Sequence, residues 1–75
     1  MKLKKVFSEV FALPESAIHD ALALRDIPQW DSMAHMVLII RIEETWNIQF
    51  TGDEIADIKT VDDARRLIAS HGGTP

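Results

Sequence analysis

The chain contains no cysteine, which excludes disulfide bonds, thiolate metal ligands and any reaction that uses a thiol of the protein itself. Glycine and proline number three each, which excludes collagen-like and low-complexity chains. No apolar run approaches the roughly 20 residues that a membrane-spanning helix needs. The basic start of the chain is not followed by a long apolar stretch, so we expect no secretory signal, no membrane partner and a cytoplasmic location.

The amounts of apolar and charged residues are those of a globular protein, at 47% and 27% of the chain. With 75 residues the chain has no room for a second core, so we expect a single domain spanning residues 1–75. A domain of this size buries only about 60% of the surface of its unfolded chain. We therefore do not expect a deep catalytic pocket beside the core.

Charge is distributed unevenly along the chain, which has a net charge of −4. Residues 43–63 contain seven acids and one base, Lys59, and are net −6. Such a segment repels phosphate backbones, so nucleic acid is not an expected partner. An acidic surface suits a basic patch on a partner protein, although a simply solvated acidic face has the same composition.

Periodicity and end signals predict two helices in the first half of the chain. Apolar residues spaced by three and four predict a first helix over residues 2–12. Residues 13–31 have no sustained period, and a connection of this length is expected to contain a short turn of helix or to serve function. Asp31 is expected to cap a second helix from Ser32 to about Trp46.

Two patterns typical of helix capping predict two further helices. Thr51-Gly52-Asp53-Glu54 opens a short third helix, with Ile55 and Ile58 expected to face inward. Thr60-Val61-Asp62-Asp63 is a similar start signal for a fourth helix, which Gly72-Gly73 closes. The predicted fold class is therefore all-α, a four-helix bundle with a long first loop and a short third helix.

The second helix is apolar on two nearly opposite sides, whereas a helix of a small bundle needs one apolar stripe. One side, which continues uninterrupted to the helix end, is assigned to the core: Leu38, Ile39, Ile42 and Trp46. The other side, which ends at the charged Glu44, is expected to be exposed or to face a partner: Met33, Met36, Val37 and Ile40. The alternative is that all eight residues belong to the core.

Ser32 lies in the first turn of this helix, where unpaired N–H groups and the helix dipole favour negative charge. A phosphate ester on its hydroxyl would be well placed there. Taken alone, Ser32 is better interpreted as an ordinary capping residue.

Together these features resemble the acyl carrier protein family, whose motif is Asp-Ser-Leu. The resemblance covers nearly the whole chain and is carried by the start of the second helix and the residues after it: Trp30-Asp31-Ser32-Met33, Glu43-Glu44, Trp46, Ile48 and Phe50. It implies that Ser32 is the attachment residue for 4′-phosphopantetheine, derived from coenzyme A, and that Asp31 is the helix cap beside it. The missing cysteine is no obstacle, because the arm brings its own thiol.

The resemblance also implies a function. The protein would hold an acyl group as a thioester on the arm and present it to enzymes of fatty acid, polyketide or other specialised acyl metabolism. It would not itself be an enzyme, and its partners would be a phosphopantetheinyl transferase and acyl-loading and acyl-processing enzymes with basic or apolar docking patches. The implied docking surface comprises Met33, Met36, Val37, Ile40, Glu43, Glu44, Asp53, Glu54 and Asp57.

The sequence departs from the family pattern near the motif. Met33 stands where leucine is usual, and Ala34 and Val37 stand where carriers of fatty acid synthesis often have acids. Pro28-Gln29-Trp30 precedes the motif, where carriers of peptide synthetases often have two glycines. These departures favour a free-standing, specialised acyl carrier. We separately expect the protein to be a monomer.

Other functions stay open at this point. An aminoacyl or peptidyl carrier is one alternative, and a helical protein-interaction module that binds through the Met33 side is another. A small hydrolase would need a triad of Asp31, Ser32 and His35, which a short exposed helix does not supply, so we expect His35 at the edge of the core. His19 and His71 are isolated in the sequence, so no metal site is expected.

Overall fold

A computed structural model describes residues 2–75 of the chain. Its four helices are α1 (Lys2–Phe11), α2 (Ser32–Trp46), α3 (Gly52–Asp57) and α4 (Val61–Ser70). Within the described residues there is no strand, and no helix is long and apolar enough to cross a membrane. The predicted all-α bundle, with its long first loop and short third helix, is confirmed.

Helix α1 buries a single apolar stripe in the core: Leu3, Val6, Phe7 and Phe11. It ends one residue before the predicted boundary, because Ala12 adopts a left-handed conformation with φ of 55°. The Ser8 hydroxyl donates to the carbonyl of Leu13 just beyond that bend. Pro14 follows in an extended conformation, which the helix cannot continue through.

The long first loop contains two short 3₁₀ turns, Glu15–Ala17 and Leu24–Asp26, which confirms the expected turn of helix. Ile18, Leu24 and Ile27 are buried and hold this loop against the core. The loop is therefore packed along its length.

The first loop also pairs with the segment that joins α3 to α4. Ala23 and Thr60 form an isolated antiparallel bridge, and the Leu24 N–H donates to the Lys59 carbonyl at 2.9 Å. The Val61 N–H donates to a loop carbonyl at 3.1 Å. These bonds bring two chain segments together that are separated by more than thirty residues in sequence, and no local sequence signal predicts them.

Helix α2 begins and ends where the sequence predicts. The Asp31 carboxylate accepts the Ala34 N–H at 2.7 Å, so it is the N-cap. Asn47 ends the helix in the left-handed conformation, with φ of 53°.

The core side of α2 is the predicted one, since Leu38, Ile39 and Ile42 are fully buried. Trp46 is half-buried at the edge of the core, and its indole N–H donates to the Thr74 carbonyl at 3.0 Å. Gly73 packs so closely there that a Cβ atom would lie 2.9 Å from Trp46 Cδ1 and 2.7 Å from Ile68 Cγ2. A larger residue at this position would displace the tryptophan.

Helices α3 and α4 each begin with the predicted capping box, formed by Thr51 with Glu54 and by Thr60 with Asp63. None of the residues within α3 is fully buried, and Ile58, the residue after it, carries its attachment to the core. Helix α4 buries its apolar stripe: Val61, Ala64 and Ile68 fully, and Leu67 in part.

Candidate functional site at the start of helix α2

Ser32 is the first residue of α2, and it is exposed. Its neighbour Asp31 accepts hydrogen bonds from two nearby N–H groups. The Asp31 carboxylate accepts the Ala34 N–H, and the Asp31 carbonyl accepts the His35 N–H at 2.9 Å. The N–H groups of Ser32 and Met33 precede the first intrahelical bond and have no acceptor among residues 2–75. An anionic group on the Ser32 hydroxyl would therefore meet free donors and the positive end of the helix dipole.

An open groove of about 930 Å³ adjoins Ser32. It lies between α2, the first loop and the segment that joins α3 to α4. Apolar side chains make up much of its lining: Ala23, Leu24, Trp30, Met36, Ala56 and Ile58. Arg25, His35 and Lys59 are among its polar lining residues. The groove can receive a mainly apolar group that is tethered to Ser32.

Three residues from three elements are hydrogen-bonded next to this groove. The Trp30 indole N–H donates to His35 Nδ1 at 3.2 Å, and the two rings meet edge to face with centroids 5.9 Å apart. His35 Nε2 lies 3.0 Å from the Ile55 carbonyl. Because the indole only donates, Nδ1 must accept, and the ring proton therefore lies on Nε2 and is donated to that carbonyl. The Trp30–His35–Ile55 chain thus fixes the residues on both sides of Ser32 and joins α2 to α3.

His35 lies at the edge of the core, as predicted. Both ring nitrogens are engaged, by Trp30 and by the Ile55 carbonyl, so the ring does not act on Ser32. The chain supplies no Asp31–His35–Ser32 triad for a hydrolase. No sequence signal predicts the hydrogen bond between Trp30 and His35, because that bond depends on how the first loop approaches α2.

The second apolar side of α2 is exposed to solvent. The exposed fractions are 78% for Met33, 45% for Met36, 46% for Val37 and 51% for Ile40. The alternative that all eight apolar residues of the helix belong to the core is therefore wrong. A contiguous exposed apolar patch beside a reactive group is typical of an interaction surface.

The acidic residues of the implied docking surface are of two kinds. Glu44, Asp53 and Asp57 are exposed. Glu43 and Glu54 are partly buried and also form hydrogen bonds that stabilise the fold. The Glu43 carboxylate accepts the Phe50 N–H at 2.8 Å.

Glu54 completes the capping box of α3 by accepting the Thr51 N–H at 2.9 Å, and its carboxylate lies 3.0 Å from His71 Nε2. The Thr51 N–H, followed by the contact with His71, holds the pKa of Glu54 below its usual value. His71 is therefore tied to α3, and within residues 2–75 no group of three or more metal-ligating side chains occurs.

The chain is similar in sequence and in structure to known proteins. No protein-family model matches the chain. The chain is 28% identical over 68 residues to the acyl carrier protein of Acidothermus cellulolyticus, which covers 91% of this chain and 81% of that protein. It also matches the solution structure of a holo acyl carrier protein from Geobacter metallireducens with a TM-score of 0.83 and 30% identity, over 93% of this chain and 80% of that one.

The chain belongs to the acyl carrier protein family. The predicted role of an acyl carrier, which is not an enzyme, is confirmed by this membership, and so is 4′-phosphopantetheine as the cofactor. Proteins of this family interact with a phosphopantetheinyl transferase and with acyl-processing enzymes.

Proposed function

We propose that Ser32 carries 4′-phosphopantetheine and that the protein presents an acyl group on this arm to partner enzymes. The observation that carries the proposal is the exposed hydroxyl of Ser32 at the first position of α2, next to free N–H groups and an open groove. The Asp31 cap fixes the first turn of the helix, so the hydroxyl is presented in one position.

The residues around Ser32 fit the prosthetic group. Ser32 Oγ would gain a phosphodiester bond as coenzyme A loses adenosine 3′,5′-bisphosphate in the transferase reaction. The N–H groups of Ser32 and Met33 would then face the negative charge of the phosphodiester at the positive end of α2. When bound, the arm supplies the thiol that the chain itself lacks, on which acyl groups are held as thioesters.

Partner enzymes would dock on the exposed side of α2. This side carries Met33, Met36, Val37 and Ile40, and the acidic residues of the docking surface lie after it: Glu43, Glu44, Asp53, Glu54 and Asp57. Because the front of the helix is apolar rather than acidic, we propose partners of specialised acyl metabolism with a partly apolar docking patch. The acids would steer basic patches of those enzymes to the carrier.

The remaining parts of the proposal concern the chain as a whole. Residues 1–75 would form one carrier domain, since the described part has one continuous core, and this domain would act as a monomer. It would act in the cytoplasm and would bind neither nucleic acid nor membranes.

The experiment that tests the proposal is an intact-mass measurement after incubation with coenzyme A and a phosphopantetheinyl transferase of broad specificity. We expect the wild type to gain the mass of one arm and Ser32→Ala to gain none. Ser16→Ala, which removes another exposed serine, is the matched control and should gain the arm. An unmodified wild type, with a transferase that modifies a known carrier in parallel, contradicts the proposal.

The exposed apolar side of α2 also suits a helical interaction module that needs no prosthetic group. The two functions differ in whether the activity of the transferase-treated protein with its partner depends on Ser32. A carrier loses delivery of its acyl group with Ser32→Ala, whereas a simple interaction module keeps its full activity.

A further inference from the structure

Two cations of the groove have no carboxylate partner. Outside α1, the other cations are paired: Arg41 with Glu9, and Arg65 and Arg66 with Asp62. Arg25 and Lys59, by contrast, have no carboxylate oxygen within 4.0 Å among residues 2–75, although the surrounding half of the chain is rich in acids. Both of them line the groove that adjoins Ser32.

The backbone brings Arg25 and Lys59 close together in the fold. Arg25 follows Leu24, whose N–H donates to the carbonyl of Lys59, and the bridge between Ala23 and Thr60 lies next to this bond. The pair thus stands on the wall of the groove made by the two connecting segments. Ser32 stands on the wall made by α2.

We infer that the groove receives an acyl group that ends in a carboxylate, and that Arg25 and Lys59 bind this carboxylate. The inference rests on the proposed attachment of the arm to Ser32. It names the class of cargo: a short apolar chain with a negative charge at the end remote from the thioester.

Charge complementarity selects this occupant. The apolar lining suits the methylene groups of an acyl chain, but a carboxylate placed against that lining alone would lose its hydration without compensation. Arg25 and Lys59 supply the compensating charge on one wall. The Asp31 carboxylate, also in the groove, is already occupied by the Ala34 N–H and belongs to the α2 wall. The phosphodiester of the arm would lie at that α2 wall too, where the N–H groups of Ser32 and Met33 face it.

The test compares two thioesters of equal carbon number, succinyl and butyryl, loaded onto Ser32 from their coenzyme A thioesters by the transferase. Mass spectrometry follows the cleavage of each thioester by hydroxylamine in the wild type and in the double variant Arg25→Gln, Lys59→Gln. We expect the succinyl thioester to be cleaved about two- to fivefold faster in the double variant, the range that exposed ion pairs provide. The butyryl thioester should be cleaved at the same rate in both proteins.

The matched control is the double variant Lys2→Gln, Lys5→Gln, which removes the same charge from exposed positions of α1. Hydroxylamine should cleave the succinyl thioester of this control at the wild-type rate. The protection of the succinyl form should also disappear at about 1 M salt, where the screening length falls to about 3 Å.

Each failure has its own signature. A wild type that never gains an arm overturns the proposed function, and the inference with it. An arm that is gained and loaded, with equal succinyl cleavage in the wild type and the Arg25→Gln, Lys59→Gln variant, overturns the inference alone. The inference also fails if the Arg25 side-chain N–H signal moves when the free-thiol arm is attached and does not move again with succinyl, because the cations would then bind the phosphodiester.

Discussion

Helices α1 and α2 use their apolar residues in opposite ways. In α1 the four fully buried residues lie on one stripe, and the opposite side is polar or charged. In α2 only Leu38, Ile39 and Ile42 are fully buried, and four large apolar side chains face solvent. Packing of the bundle requires only the first pattern.

The difference separates the demands of folding from those of binding. Exposed apolar side chains contribute little to the stability of the bundle, so their presence on α2 next to Ser32 needs another cause. We propose docking of partner enzymes as that cause.

The largest effect is expected on stability, in a contrast between two isoleucines of α2 that lie two residues apart. Ile42→Ala removes fully buried atoms and should lower the free energy of unfolding by about 2–5 kcal/mol. Ile40→Ala removes atoms that are half exposed and should change it by no more than about 0.5 kcal/mol. Urea denaturation followed by circular dichroism measures both. Equal losses would show that Ile40 is part of the core.

The next effect is expected for recognition by the transferase. Ile40→Asp places a charge in the middle of the exposed apolar side and should lower kcat/KM for arm attachment by about tenfold, the loss typical of a contact at the centre of an interface. Ala69→Asp adds the same charge to an exposed position of α4 and is expected to leave the rate unchanged. Steady-state kinetics with coenzyme A gives the comparison. Equal rates for both variants would move the docking surface away from α2.

The smallest effect is spectroscopic and contrasts the two tryptophans. The Trp30 indole donates to His35 Nδ1, whereas the Trp46 indole donates to a backbone carbonyl. His35→Phe removes the acceptor of Trp30 and should therefore shift the Trp30 indole N–H signal and leave that of Trp46 in place. A nitrogen-15 correlation spectrum records both signals. In Trp30→Phe the signal that moves should be missing, and a Trp30 signal that stays in place in His35→Phe would contradict the bond.

Much of the fold follows from local rules and is predictable from the sequence. The cap at Asp31, the stop at Asn47 and the capping boxes at Thr51 and Thr60 act within one turn of helix, so their sequence signals suffice. The two sides of α2 are predictable for a similar reason, because the angle between successive residues of a helix is fixed.

The groove could not be predicted in this way. It depends on the pairing of Ala23 with Thr60 and on the path of a loop without periodicity. No sequence signal therefore relates Arg25 to Lys59, and only the fold brings them to one wall. The sequence likewise predicts Glu43 and Glu54 only as part of an acidic surface. Their bonds to Phe50 and His71 could not be predicted, because these residues are not close neighbours in the sequence.

The shallow attachment of α3 has a consequence for how the groove can change. With no fully buried residue, this helix is held by its half-buried Ile55, by the His35 bond to the Ile55 carbonyl and by the contact of Glu54 with His71. Local opening of such an element costs only a fraction of the free energy of global unfolding. Ala56, in α3, lines the groove, so we expect the groove to widen for a bulkier occupant more readily at α3 than at α2.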